Sequence, residues 1–414
     1  MVLNYVWMFF FFCGVVVAIA RSAMEGNVEI FNTLSEGMFT AAKDAVMSVG
    51  LPLAGTMIFF LGLMKVAEKA GAVQALSRLL NPFLKRLFPE IPERHPAMGE
   101  MVMNFSANML GLDNAATPFG LKAMKSLEEL NPQKGTASNS QIMFLVMHTS
   151  GLTLIPLSII ALRLSCTIPS KEPAAIFVPC VLATVIATLC SILIVGLRQR
   201  IRFDKVLGGW ILTLLLTVGL LLFGIEHLNP ETRQTFSKVS GNIVLLILVC
   251  SILAAGLYKK LNVFDHFIEG AKEGFDVVLK ILPYLVAMLV AIRIFRDSGS
   301  LDMLVQLLKS AIALTGSDTA FTDALPVAIM KPFSGSGARG LLVDIYNNPQ
   351  LGPDSFAGKM ASIFQGSADT TFYIIALYFG SVQIKNVRYA IWAGLLADLL
   401  GVLAAILIGY IFFH

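Results

Sequence analysis

Polar and ionisable side chains occur at a few places inside segments that are otherwise apolar enough to lie in a lipid bilayer. The clearest case is FQGSADTTFY, residues 364 to 373, which contains Asp369. A carboxylate inside a membrane helix is costly, so such a residue is a functional candidate by default. We predict that Asp369 binds a coupling cation such as sodium, carries a proton, or acts as counter-ion to Arg339. Its polar neighbours complete the group of substrate-binding candidates in this segment: Gln365, Ser367 and Thr370.

A second polar group lies in SNSQIMFLVMHTSG, residues 138 to 151, at the equivalent depth of another apolar run. It contributes His148 and Ser150 as candidates, with Thr149 and Thr153 beside them. A single buried histidine can also be a core residue with satisfied hydrogen bonds, and both interpretations stay open for His148. We predict that this segment and the one around Asp369 are unwound half-way, at Gly151 and Gly366.

The stretch MKPFSGSGARG, residues 330 to 340, is the least helical sequence among the apolar segments. Irregular backbone is tolerated at membrane depth only where protein or a water-filled cavity surrounds it. We therefore predict a cavity here, with N-H groups and the positive dipole end of the following helix directed at an anionic group. The alternative is a hairpin loop at the outer surface with solvated cations. The binding candidates are Ser334, Ser336, Gly337 and Arg339, with Lys331 as an added charge.

A second interrupted stretch, MNFSANMLGLDNAATPFG at residues 103 to 120, is polar in another way. Its amide and carboxylate oxygens suit hydroxyl-rich or nucleobase-like ligands, or a hard cation such as sodium. The alternative is that the amides only bind two transmembrane helices together. Asn104 and Asn108 are four residues apart and share a helix face. The binding candidates are Asn104, Ser106, Asn108, Asp113 and Asn114, with Thr117 beside them.

The composition sets the fold class. Of 414 residues, 56% are hydrophobic and 14% charged, and the mean hydropathy is +0.75, which indicates an integral membrane protein. We predict an all-α polytopic membrane protein with nine crossings. The first apolar run has no Lys or Arg before it, so we favour a retained helix over a cleaved signal peptide. The apolar runs lie near residues 3–20, 45–64, 139–163, 174–197, 207–225, 242–258, 276–296, 358–380 and 389–413.

The distribution of Lys and Arg gives an orientation in the inner (cytoplasmic) membrane. The basic loop at residues 198–205 and the pair Lys259 and Lys260 should be cytoplasmic. This orientation requires residues 97–121 and 321–346 to enter and leave the membrane on one face, as re-entrant hairpins. The N-terminus is then cytoplasmic and the C-terminus outside.

The order of elements repeats along the chain. Each half has an amphipathic stretch, a span, a short helix opened by glycine, an interrupted hairpin and two closing spans. The halves have opposite topology, which is the arrangement that builds a transporter site near the bilayer midplane. We predict an N-terminal transmembrane helix at 1–30, a first repeat at 31–200, two linking helices at 201–262 and an inverted second repeat at 263–414.

Several function classes are unsupported by the sequence. There is no GxSxG, HExxH or P-loop motif, so we expect no enzyme and no cofactor beyond sodium or proton coupling. The five cysteines show no CxxC spacing, which argues against a metal or disulfide framework. The basic residues gather in loops, so we expect no nucleic acid partner.

Longer motifs carry a family resemblance that extends over nearly the whole chain. Residues 95–132 and 139–151 resemble spore maturation protein A, and residues 325–347 and 352–385 resemble spore maturation protein B. The chain therefore resembles a fusion of the two. Each half is similar to the nucleoside-recognition or gate domain, also found in concentrative nucleoside transporters and ferrous iron transporters. The resemblance implies an inner-membrane protein with hairpins and interfacial helices, and it makes a homo-oligomer plausible.

Three functions remain open at this point. The first is a secondary transporter of a small polar or anionic solute, of the nucleoside, peptide or carboxylate class, with its site where the two hairpin tips meet near the midplane. The second is a non-transporting assembly protein of the cell envelope or of spore maturation. The third is a passive channel or a lipid transporter.

Overall fold

The computed structural model describes residues 2–92, 95–110, 113–201, 204–314, 316 and 318–414. Within these ranges the chain is helical and has no β-strand. The first nine α-helices are α1 (Val2–Glu25), α2 (Glu29–Asp44), α3 (Leu51–Ala70), α4 (Ala72–Leu87), α5 (Pro96–Met109), α6 (Asp113–Glu129), α7 (Asn139–Thr149), α8 (Leu157–Ser165) and α9 (Phe177–Gln199).

The second part of the chain continues in the same way. Its α-helices are α10 (Lys205–Glu226), α11 (Pro230–Tyr258), α12 (Val263–Asp297), α13 (Ser300–Ala313), α14 (Leu325–Met330), α15 (Gly335–Asn347), α16 (Phe356–Gly366), α17 (Thr371–Ser381) and α18 (Ala390–Phe413). Three short helices of other types lie between them: a π-helix at Ala45–Gly50 and 3-10 helices at Pro173–Ile176 and Ala320–Ala324.

Among the described residues, five helical stretches are long and apolar enough to cross a membrane. They are Trp7–Glu25, Glu29–Ala70, Pro173–Gln199, Lys205–Ile225 and Ala390–Phe413. Each has at least the 18 residues or so that a span requires. The chain is therefore an all-α, multi-pass membrane protein, as predicted. The nine crossings, the re-entrant placement of the hairpins and the sides of the termini stay predictions.

The chain forms two compact units, each built from three separate stretches of the sequence. Unit 1 comprises Met1–Phe59, Ile159–Pro173 and Ala271–Gln365; unit 2 comprises Phe60–Ser158, Ala174–Gly270 and Gly366–His414. The predicted repeats describe the order of elements along the sequence, whereas these two units are defined by contacts in space. The repeat boundaries therefore stay a prediction.

Unit 2 has a hydrophobic core built largely by α5, α6, α7, α9, α17 and α18. In α7, every residue from Ser140 to Thr149 is buried. A helix that is buried all round belongs to the interior of a bundle rather than to its surface. A capping box at Ser138 and Gln141 starts α7, so its first N-H groups are satisfied before the chain enters the core. These features hold the polar end of α7 in a fixed place.

Unit 1 contains the second hairpin, formed by α14 and α15. Ser334 is the N-cap of α15, and its hydroxyl accepts a hydrogen bond from the Gly337 N-H at 3.0 Å. The buried face of α15 packs close to α12, since a Cβ at Gly340 would stand 2.8 Å from Ile292 Cδ1. The predicted helix is present with its start fixed by a serine cap, but it begins at Gly335, so the expectation that the whole SGSG sequence is irregular backbone before the helix is wrong: only Ser334 lies outside α15.

Candidate functional site

Two helices of the predicted site are interrupted where the sequence indicated. α7 ends at Thr149, and the next helix, α8, begins only at Leu157. α16 ends at Gly366, and α17 begins at Thr371. The predicted unwinding at Gly151 and Gly366 is confirmed.

The two interruptions contact one another within unit 2. The Asp369 N-H donates a hydrogen bond to the Thr149 carbonyl at 2.7 Å. Gly151 has a φ of +62°, and a Cβ there would stand 3.1 Å from the backbone of Ala368 and Asp369. Glycine is therefore needed for two reasons, the left-handed backbone that ends α7 and the close approach of the second chain segment.

A cluster of polar side chains surrounds this crossing. His148 Nδ1 lies 3.0 Å from Asn104 Oδ1, and its Nε2 lies 3.5 Å from the Tyr378 hydroxyl. The same Nε2 is 3.8 Å from Asp369 Oδ2. The structure thus brings together Asn104, His148 and Asp369, three candidates from separate parts of the sequence, and it adds Tyr378.

Asn104 serves two purposes in the hairpin formed by α5 and α6. Its Nδ2 donates to the Ala116 carbonyl at 2.7 Å, which joins the two arms of the hairpin. Its Oδ1 faces His148. Because the side chain is fully buried, both contacts form in a low-dielectric environment, where hydrogen bonds are strong. The amide nitrogen therefore serves helix pairing, one of the two interpretations left open; the binding role of the amide oxygen, which faces His148, stays a prediction.

Asp369 is the accessible end of the cluster. Its side chain is 39% exposed, whereas that of His148 is 4% exposed. One carboxylate oxygen, Oδ1, accepts the Thr370 N-H at 2.7 Å. The other points to the histidine side of the cluster. A carboxylate that is fixed by backbone and still reachable can bind a cation, accept a proton or receive a polar group of a solute.

Other candidates in unit 2 contact helices of the protein. The Ser106 hydroxyl lies 3.0 Å from that of Ser77 on α4, and the Ser150 hydroxyl lies 3.0 Å from that of Thr188 on α9. Asn108 borders a small, mainly apolar cavity of about 40 Å³. Ser367 and Thr370 are buried. Asp113 and Asn114 begin α6, but their side chains lie outside the described part of the structure.

The candidates in unit 1 belong to α15 and to the end of α16. Ser334 caps α15 and also lies 3.2 Å from the Ser336 hydroxyl. Gly337 is buried, and Arg339 is partly buried one turn into the helix. Gln365 is buried, with no hydrogen bond to its Oε1 among the described residues. Their predicted role in solute binding stays a prediction.

The sequence reasoning missed Arg163, which is fully buried in unit 1. Its guanidinium donates to the Pro353 carbonyl at 2.7 Å and to Asp354 Oδ1 at 2.8 Å. It also donates to the hydroxyls of Ser170 and Ser362. One side chain therefore joins the segment after α8 to the loop between α15 and α16. The signal in the sequence is a single cation in the apolar run IPLSIIALRLSC.

The Asp354 carboxyl gives this network a pH dependence. Burial alone would raise the pKa of this carboxyl. The Ser170 hydroxyl, the Lys171 N-H and the Arg163 charge lower it by more than burial raises it, so the pKa lies below its usual value. An aspartate with a lowered folded-state pKa adds stability above its unfolded pKa of about 3.9, and this stability is lost as the pH falls.

We expect Asp354→Asn to lower the thermal unfolding temperature at neutral pH, and this deficit to shrink as the pH falls below about 3.9 and to vanish once the pH lies below the lowered pKa of the folded-state carboxyl. The measurement is the difference in Tm between the two proteins across that pH range. Glu36→Gln, at an exposed position of α2, serves as control and should follow the wild type. A deficit that stays constant with pH would contradict the charge-based role of Asp354.

The sequence matches a protein-family profile and is similar to two characterised proteins. A family profile described as Gate, nucleoside recognition, matches residues 51–165 and 278–385. Spore maturation protein B of Bacillus subtilis is 46% identical over 162 residues, which are 39% of this chain and 88% of that protein. Spore maturation protein A of the same organism is 40% identical over 191 residues, which are 46% of this chain and 92% of that protein. The resemblance to a fusion of the two proteins is confirmed.

Proposed function

The chain belongs to the nucleoside-recognition, or Gate, family, and from that premise we propose that it is a secondary transporter of a small polar or anionic solute. The solute would be of the nucleoside, peptide or carboxylate class. The proposal includes an inner-membrane location with a cytoplasmic N-terminus. It includes no catalytic activity and no cofactor apart from a coupling ion.

The observation that carries this proposal is the crossing of the two interrupted helices at Thr149 and Asp369. Helix interruptions at membrane depth leave backbone groups that lipid cannot satisfy, so they persist where protein or a cavity surrounds them. In secondary transporters such discontinuous helices form the substrate and ion sites. Here the interruption holds a reachable carboxylate beside a buried cluster of three polar side chains.

We propose that Asp369 couples transport to sodium or to protons. A sodium ion prefers oxygen ligands, and the Asp369 carboxylate with neighbouring backbone carbonyls such as that of Thr149 would supply them. A proton would need only the carboxylate, with His148 Nε2 at 3.8 Å as the nearby titratable group. Dependence of ligand binding on sodium at constant pH would distinguish the first case from the second.

The test is thermal unfolding of the purified protein against nucleosides, dipeptides, dicarboxylates and amino acids, with and without sodium. A ligand that binds only the folded state at a hundredfold excess over Kd stabilises it by about 2.7 kcal/mol. We expect one class to raise the Tm, and Asp369→Asn to remove that rise. Glu129→Gln, at an exposed position of α6, should keep it. A Tm rise of equal size in Asp369→Asn would overturn the site assignment.

A second candidate function is an assembly protein of the cell envelope. Hydrogen bonds between helices, such as Ser106 with Ser77 and Ser150 with Thr188, favour it, because they use hydroxyls for helix association rather than for ligand binding. This function predicts a stable partner, which could be a second copy of the chain, in gentle detergent. Co-purification with that partner and no response to any solute would support it.

A further inference from the structure

Unit 1 contains a cavity of about 240 Å³ whose lining includes none of the residues assigned to the solute site. It lies between α13, α14 and α15 and the end of α12. Its volume is somewhat below the range of roughly 300–1,000 Å³ typical of ligand pockets, which indicates a small ligand. The apolar part of its wall is formed by Leu301, Val305, Pro326, Leu341, Ile345 and Leu351.

Two ion pairs lie in the wall of this cavity. Arg296 Nη1 is 2.5 Å from Asp344 Oδ1, and Lys309 Nζ is 2.8 Å from Asp323 Oδ1. Each of these two carboxylates, Asp344 and Asp323, is therefore paired with a cation of the wall. The pairs tie α12 to α15 and α13 to the 3-10 helix before α14, so the charged groups have defined positions.

A fifth charged residue of the lining, Asp302, makes the net charge of the cavity wall negative. It lies in the first turn of α13, lines the cavity and is exposed. The lining then has three carboxylates against two cations, so one negative charge is in excess. Asp297, close by at the end of α12, does not alter this count, because Arg293 Nε pairs with it at 2.6 Å.

We propose that this cavity binds a small organic cation, an ammonium group attached to an apolar body. The apolar wall removes the body of such a ligand from water, and the excess carboxylate attracts its charge. A ligand anion would face the excess negative charge. A neutral ligand would gain only the apolar contact.

The probe is 2-phenylethylamine, which is a cation at neutral pH, titrated calorimetrically into the protein in lipid nanodiscs. Empty nanodiscs give the heat of partition into lipid. The comparison ligands have the same ring and a similar chain length: 2-phenylethanol is neutral and 3-phenylpropionate is an anion. We expect saturable binding of the amine, with a Kd at least about tenfold lower than that of either comparison ligand. This ratio corresponds to about 1.4 kcal/mol of binding free energy.

Two substitutions should act in opposite directions. Asp302→Asn removes the excess charge and should raise the Kd of the amine about tenfold. Lys309→Gln adds one more unit of excess negative charge and should lower it. Asp276→Asn, at an exposed position of α12 twenty residues before Arg296 and so about 30 Å away along the helix, should leave it unchanged. Both tested side chains are at least partly exposed, so the variants should fold.

Three results would overturn the proposal: no saturable heat with the amine, equal or tighter binding of 3-phenylpropionate, or an unchanged Kd in Asp302→Asn. The solute site plays no part in these measurements. Asp369→Asn should bind the amine as the wild type does, which separates failure of this proposal from failure of the proposed transport function.

Discussion

Gly120→Ala is expected to destabilise the protein by about 1–3 kcal/mol, the usual cost of overpacking a close-packed core. A Cβ at this position of α6 would stand 2.1 Å from the Tyr378 hydroxyl and 2.9 Å from Asn104 Nδ2. Both groups are held in place by other contacts. The Tyr378 ring stacks on Phe144 at 5.8 Å between centroids, and Asn104 is bonded to the Ala116 carbonyl.

The same substitution should disturb the polar cluster, because the two displaced groups are the ones that contact His148. We therefore expect any solute that stabilises the wild type to lose at least about tenfold in affinity, since 1.4 kcal/mol corresponds to a factor of ten. Thermal and chemical unfolding measure the first effect, and the ligand-dependent shift in Tm measures the second.

Gly99→Ala is the matched control in the same hairpin. Gly99 lies on α5, is exposed, and a Cβ there would meet nothing within 4 Å. Replacing an exposed helical glycine by alanine gains up to about 1 kcal/mol from helix propensity. The two substitutions should therefore change stability in opposite directions. If both are stabilising, the contact of Gly120 with Tyr378 and Asn104 is not a constraint on the fold.

Local signals in the sequence were enough to locate the helix interruptions. Gly151 follows an apolar run and precedes Pro156, and Gly366 is followed by serine and aspartate. Glycine and proline act on the backbone at their own positions, so their effect can be predicted without the tertiary structure. Hydropathy also located the five helical stretches of the described chain that are long and apolar enough to cross a membrane, although it marks only the apolar part of a helix. The predicted run at 276–296 lies inside the much longer α12, Val263–Asp297.

The partners of the polar groups could not be predicted in the same way. Asn104 and Tyr378 are 274 positions apart, and no local pattern connects an amide in one hairpin with a hydroxyl in a distant helix. Ser106 and Ser150 were predicted to bind substrate, yet their described hydrogen bonds go to other helices or to backbone. A serine hydroxyl at membrane depth suits either use, and only the packing shows which neighbour it reaches.

Arg163→Met is expected to be the most destabilising single change, by about 3–5 kcal/mol, because one fully buried guanidinium serves several acceptors at once. Methionine fills a similar volume but donates no hydrogen bond. The Pro353 carbonyl and the hydroxyls of Ser170 and Ser362 would each lose a donor that now lies within 3.1 Å. The two hydroxyls keep other partners, the Glu172 N-H for Ser170 and the Tyr346 hydroxyl for Ser362. The cost therefore comes mainly from the buried Pro353 carbonyl, which loses this donor, and from Asp354, which loses its buried cation.

Arg163→Lys tests whether geometry or charge dominates. Lysine keeps the positive charge but has no planar fork, so it cannot donate to Pro353 and Ser170 from two separate nitrogens in the same way. We expect it to recover only a minor part of the loss. Full recovery would show that charge alone is required and would contradict the role assigned to the fork.

Arg21→Met provides the control in the same unit. Arg21 and Glu25 form an ion pair along α1 at 3.1 Å, with side chains 36% and 50% exposed, and Arg21 also donates one hydrogen bond to the Ser298 carbonyl at 3.2 Å, worth about 0.5–1.5 kcal/mol. Exposed pairs contribute about 0.2–1 kcal/mol, so this change should be small. The double variant Arg163→Met with Asp354→Asn should lose less than the sum of the single losses, because both changes break the same interaction. Strict additivity would mean that Arg163 stabilises the protein through its other contacts, with Asp354 acting independently.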